Sequence, residues 1–285
     1  MFNNSISLKN KSWEWISIKI CFIIAAYLSF KTSLYQVDFI NVNKGICMLA
    51  NGFCAFLIDA KVKMLIRMSF IVLGVFYILE KQMKIVLFLL FLLTLYVFSA
   101  HESYGVQSRT GIIPLVFLAQ FIAYLKLPVF KNAILEKTRI FYSIQVIAAS
   151  YTLAALSKLK TSGFSWFIDS KYMVLQMLKS NQMKYFDGVI EESELMDYKM
   201  NWVLEYPVFF SIMLLAALLI ELTCALALIN NKTKILYGIL LLAMHIGIAF
   251  LFKIVIFSFV SLVLIFFLNP LYLVSKLFIK KPFSI

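Results

Sequence analysis

Four ionisable side chains interrupt or close the apolar runs of this chain, and each could move a proton. Lys158 ends the stretch 139–160, RIFYSIQVIAASYTLAALSKLK, which is nearly uncharged and long enough to cross a bilayer. A lysine there is either an anchor whose ammonium reaches water or, set in a cavity, an amine that serves as a general base. On a helix, Tyr151, Ala154 and Ala155 share its face, and the two alanines let a neighbouring helix come close. Glu221 and His245 lie 11 residues before and 13 residues after Lys232, at the centre of a polar hairpin. At about 1.5 Å per residue they sit within roughly 3 Å of one depth. Side by side they would form either a structural hydrogen bond or a proton-handling couple. His101 follows another apolar run and precedes Glu102 and Tyr104, as a proton carrier or an interfacial histidine with a water partner.

Composition sets the medium these groups work in. The 285 residues are 62% hydrophobic and only 14% charged, with a mean hydropathy of +0.91. A soluble domain carries about 25% charged residues, so lipid must solvate much of this chain. The net charge of +13 does not indicate nucleic acid, because the lysines gather at the ends of apolar runs, where they set topology and meet anionic headgroups. Membrane lipids are the expected partners. Two histidines and no CxxC motif give no support for a metal site. Cys47 and Cys54 flank Asn51-Gly52 and could pair if that loop lies outside the cytoplasm.

The pattern predicts an all-α polytopic bundle of about eight transmembrane helices, over 14–34, 63–79, 84–100, 111–130, 139–158, 204–229, 235–252 and 254–274. No linker or repeat divides it, so residues 1–285 read as a single membrane domain with no separate soluble domain. Lys126, Lys131, Lys137, Arg139, Lys232, Lys234 and the lysines of the tail then fall on the cytoplasmic side with both termini; Lys61, Lys63 and Arg67 do not. The extracytoplasmic loop runs from about 159 to 202. Within it, 164–179 mixes Trp166, Phe167, Tyr172, Met173 and Met177 at helical spacing, as an interfacial helix after the fifth span would.

The stretch 151–163, YTLAALSKLKTSG, resembles the helix end that carries a Lys-Leu pair in the vitamin K-dependent gamma-carboxylases and the related HTTM membrane domains. HESYG at His101 resembles the His-Ser-Tyr region of the carboxylases. Glu221, His245 and the closing FSFVSLVLIFFLNPLYL resemble the last helices of that domain. Ser157 stands where the carboxylases have a further lysine. The resemblance implies a lipid-soluble quinol as cofactor, menaquinol or vitamin K hydroquinone. Lys158 would be the base that deprotonates it and His101 would assist. Tyr151, Tyr104 and Trp166 are the expected cofactor contacts; Glu221 and His245 are expected as helpers from their shared depth alone, a role the resemblance does not assign. The implied setting is the bacterial inner membrane, with a peptide or small substrate at the outer face. The competing expectation is a non-enzymatic scaffold or partner subunit that holds another membrane protein during secreted-peptide maturation.

Overall fold

The structure is a computed structural model that describes residues 8–36, 47, 54, 56–103, 111–126, 132–186, 188, 190–252 and 256–278. Every regular element among the described residues is helical. The chain divides into two compact units, residues 1–147 with 257–285, and residues 148–256.

The first unit contains α1 (Leu8–Gln36), α2 (Ala60–Ile78), α3 (Met83–Ser103), α4 (Ile112–Lys126) and the first half of α5 (Asn132–Ser162). Its core is aromatic. Phe22 packs 4.8 Å from Phe117 and 5.4 Å from Phe266, and Phe30 stacks on Phe70 at 4.6 Å, centroid to centroid. These rings bury large apolar areas and prefer such tilted contacts. The hairpin between α2 and α3 turns through Glu80 and Gln82, both in the left-handed region (φ 57° and 48°). Non-glycine residues seldom adopt it, and holding one there costs on the order of 1–3 kcal/mol.

The second unit begins in the last half of α5. It continues through α6 (Ser165–Ile168), α7 (Lys171–Phe186), a 3-10 turn (Glu192–Glu194), α8 (Tyr198–Glu205), α9 (Pro207–Leu222), a 3-10 stretch (Cys224–Leu228) and α10 (Asn231–Phe252). Met173, Met177, Met200, Val203, Phe210 and Leu251 form one of its buried clusters, joining α7, α8, α9 and α10. The chain then returns to the first unit through α11 (Phe257–Leu262), a π-helical stretch (Val263–Leu268) and α12 (Pro270–Phe278).

Five helical stretches are long and apolar enough to cross a membrane: Glu14–Tyr35, Met83–Ser103, Ile134–Ser162, Asn231–Phe252 and Phe257–Val274. A sixth is formed if Glu192–Glu205 and Pro207–Leu222, bent by 91°, count as one span. The chain is therefore a polytopic membrane protein. The eight expected spans are met only in part, for local reasons. Helix α2 carries Lys61, Lys63 and Arg67 in its first half, and α4 has 15 residues. At most half of each span's most apolar window is buried within the protein, and the apolar remainder suits lipid.

The sequence places the interfacial helix over 164–179, but Asp169 splits that segment. Its carboxylate accepts the Lys171 amide at 3.1 Å and so caps the start of α7. Most of the loop around Asn51-Gly52 lies outside the described residues, yet Cys47 and Cys54 are disulfide-bonded, while Cys21 and Cys224 are free thiols. Alkylation of the denatured, unreduced chain should therefore label two of the four cysteines, and four after reduction. Four labels before reduction would remove the disulfide.

Candidate functional site

Helix α5 organises the site because its face at 151–158 alternates polar groups with small ones. Tyr151 and Lys158 lie two turns apart, with the fully buried Ala155 between them. The small side chain leaves room for α9, whose penultimate residue is Glu221. Lys158 Nζ donates to Glu221 Oε2 at 2.5 Å. The lysine side chain is 29% exposed and that of the carboxylate 7%. The ammonium also lies 4.7 Å from the centre of the Trp166 ring, near enough for a cation–π attraction. The lysine therefore has two partners and keeps part of its side chain exposed.

The surrounding backbone fixes the acid. Thr152 Oγ1 donates to the Glu221 carbonyl at 3.3 Å. One residue beyond α9 the chain tightens into the 3-10 stretch, and the Thr223 hydroxyl turns back on the Leu219 carbonyl at 2.6 Å. Tyr237 of α10 donates to Thr223 Oγ1 at 2.8 Å. The last turn of α9 is thus held from both neighbouring helices.

Tyr151 and His245 form a second pair. The phenol oxygen and His245 Nε2 are 2.6 Å apart, and both side chains are buried. With Nε2 unprotonated, the phenol donates to it. The buried Cys224 is within electrostatic reach of Glu221, and Tyr151 of both. Glu221 and His245, expected to face each other, are instead each tied to α5.

Five of the expected site residues thus belong to one unit, in two groups: Lys158 with Glu221 and Trp166, and Tyr151 with His245. His101 is buried near the end of α3 in the first unit. Tyr104 lies outside the described residues. No protein family, curated protein or solved structure matches the chain. The chemistry of the site is therefore argued from its own side chains.

A second polar cluster lies in the first unit, around a residue whose sequence position hides it. The sequence suggests that Arg139 is a topology-setting charge in a cytoplasmic loop. Instead α5 starts at Asn132, and Arg139 is fully buried within it. Its guanidinium centre lies 4.1 Å from the Trp15 ring, 4.9 Å from Tyr124 and 5.4 Å from Tyr77. Arg139 Nη2 donates to Gln120 Oε1 at 2.9 Å and Nη1 to the Tyr124 hydroxyl at 3.3 Å. Glu80 Oε1 stands 3.8 Å from Nη1 and accepts from Lys19 Nζ at 2.9 Å and Trp15 Nε1 at 2.6 Å. The available signal was Glu80 itself, the only acid between Asp59 and Glu102, set at the tip of a hairpin between two apolar helices.

Burial would raise the Glu80 carboxyl, but hydrogen bonds from Lys19 and Trp15 and the charges of Lys19 and Arg139 outweigh it and hold the carboxyl below its ordinary value. A depressed carboxyl stabilises the fold fully above its unfolded pKa, about 4.3, and that contribution is lost as pH falls through the folded value. In pH-dependent unfolding, Glu80→Gln should flatten the fall in stability below about pH 4.5. Above pH 6 the gap between Glu80→Gln and wild type should stay constant. Parallel profiles at all pH values would remove Glu80 from the acid limb.

Proposed function

We propose that this chain is a carboxylase-like membrane enzyme that uses a lipid-soluble quinol to modify a peptide or small substrate at the extracytoplasmic face. One observation carries it: Lys158 is partly exposed, yet is held by a buried carboxylate and an aromatic ring (29% against 7% side-chain exposure). An anchoring lysine needs neither partner. A general base needs a fixed position and a route for its proton.

The residues fit a hydroquinone. Trp166 is a flat apolar ring with the Lys158 ammonium over one face, and Lys158, once it has given up a proton, can take one from a hydroxyl. A bound hydroquinone supplies reducing equivalents and, with oxygen, the base strength needed to ionise a carbon acid. The protein's own part is narrower. Trp166 and Lys158 bind and orient, Glu221 holds Lys158, and the helices around Tyr151 exclude water.

The Cys47–Cys54 disulfide supports the orientation, since such bonds persist in oxidising compartments. With the loop that holds it outside, the N-terminus is cytoplasmic, and an even number of spans puts the C-terminus on the same side. If α2 and α4 also cross, Lys158 emerges at the outer face of a bacterial inner membrane.

The purified chain in proteoliposomes should retain quinone through mild extraction, detectable by mass spectrometry. It should also consume menaquinol in the presence of oxygen. Lys158→Ala should reduce this consumption at least a hundredfold, the lower range for loss of a general base. Full consumption by Lys158→Ala would sink the base assignment. If quinol is neither bound nor consumed, and a stoichiometric membrane partner co-purifies equally with wild type and Lys158→Ala, the scaffold role replaces it.

A further inference from the structure

Helix α2 carries Lys61, Lys63 and Arg67 in its first half, directly after the disulfide-bonded segment. Basic residues gather on the cytoplasmic side of membrane proteins, so cations beside an oxidised loop need another account. Lys63 is buried, and Lys61 is exposed on a different face of the helix. Arg67 reaches across to α1. Its Nε donates to the Tyr27 hydroxyl at 2.7 Å and its Nη1 to the Tyr35 hydroxyl at 3.2 Å. Tyr27, Lys31 and Tyr35 recur every fourth residue and share one face of α1. Lys31 Nζ lies 6.0 Å from the centre of the Tyr35 ring. The Tyr27 ring is set against Phe70 of α2, 5.8 Å between centroids. Both helices belong to the first unit.

We infer that Arg67, Tyr27, Tyr35 and Lys31 form a binding site for the phosphate of an anionic phospholipid. It does not depend on the role of Lys158. The inventory of donors carries it. A guanidinium has five N–H donors and no acceptor. Two are spent on the tyrosines, which leaves three. Each phenol oxygen accepts from Arg67, so its own hydrogen remains to donate. Among the described residues neither of those hydrogens meets an acceptor. No carboxylate among the described residues pairs with Lys31 or Arg67. The cluster therefore presents donors and positive charge alone. Water satisfies such donors but not the charge. A phosphate diester supplies both acceptors and charge, and the planar guanidinium fork matches its oxygens.

Depth selects a lipid over free phosphate. The first span is Glu14–Tyr35, so Tyr35 ends it and Tyr27 sits about 12 Å deeper. A guanidinium that reaches both hydroxyls lies between them, about 6 Å inside the end of the span. Headgroups meet the hydrocarbon core near that level. The faces then turn apolar. Ile20 and Ile24 continue the α1 face of Tyr27 and Lys31, and Ile71 and Val75 continue the α2 face of Arg67. All four are exposed, a track on which acyl chains lie while the phosphate stays on Arg67.

The test titrates the full chain in detergent with phosphatidylglycerol or phosphatidylcholine and reads stepwise binding by native mass spectrometry. The first phosphatidylglycerol should bind at least about fivefold more tightly than the first phosphatidylcholine, the usual effect of one basic residue. Arg67→Gln should erase most of that preference. Tyr27→Phe with Tyr35→Phe keeps both rings and the cation, and should reduce it. Lys61→Gln removes the same charge from the same helix outside the cluster and should keep it. An unchanged preference in Arg67→Gln or in the double Phe variant overturns the site. An equal loss in Lys61→Gln also overturns it, because general attraction to a basic surface then explains the preference. Glycerol phosphate, a headgroup fragment without acyl chains, should not displace phosphatidylglycerol at equal concentration; displacement there removes the lipid as the occupant.

Discussion

Lys158→Ala should destabilise the protein by about 2–3 kcal/mol, and adding Glu221→Leu should restore most of the loss. Removing one partner of a buried pair leaves a charge without compensation, which typically costs about 3–5 kcal/mol. The partial exposure of Lys158 (29%) lets solvent offset part of that, hence the lower figure. The double change removes the charge instead of abandoning it, and an apolar replacement of a whole buried pair is often neutral. Thermal unfolding of the four members of this double-mutant cycle in one detergent gives the coupling directly. A coupling near zero, with Lys158→Ala as stable as the wild type, would return Lys158 to the role of an interfacial anchor. Stability and chemistry then separate cleanly. The double variant should fold like the wild type and yet be unable to consume quinol.

Much of this site was legible in the sequence because membrane helices simplify the problem. Polar residues inside apolar runs are few, so Lys158, Glu221 and His245 stand out without any alignment. The shared face of Tyr151, Ala155 and Lys158 follows from helix periodicity alone, and the structure uses it. Pairing is harder to read. Counting from Lys232 gave depths along two helices but no azimuth, so the partnership of Glu221 with Lys158 and of His245 with Tyr151 was hidden. It depends on which faces of three helices converge. Helix ends were also misplaced. The count of apolar residues begins a span at Arg139, but backbone hydrogen bonding carries α5 back to Asn132. That difference turns Arg139 from a loop charge into a buried one. The split at Asp169 is a capping event, a signal present in the sequence but outweighed there by the run of aromatic residues.

Arg139 carries the second large expectation, because its environment rewards both charge and shape. Arg139→Ala should cost about 3–5 kcal/mol, combining an emptied buried site with the loss of three ring contacts. Glu80 would not be abandoned, since it keeps Lys19 and Trp15 and is partly exposed. The loss should therefore come from Arg139's own contacts, which two further variants can separate. Arg139→Met keeps the stem volume and removes the charge. Arg139→Lys keeps the charge but lacks the planar fork that reaches Gln120 and Tyr124 at once and lies against Trp15. Both should recover less than half of the loss in thermal unfolding, Lys because its ammonium has no planar face to lie against Trp15 and no fixed fork aimed at Gln120 and Tyr124. A Met variant as stable as the wild type would show that the aromatic box needs only filling, and that the guanidinium contributes nothing to holding α1, α4 and α5 together with the Glu80 hairpin.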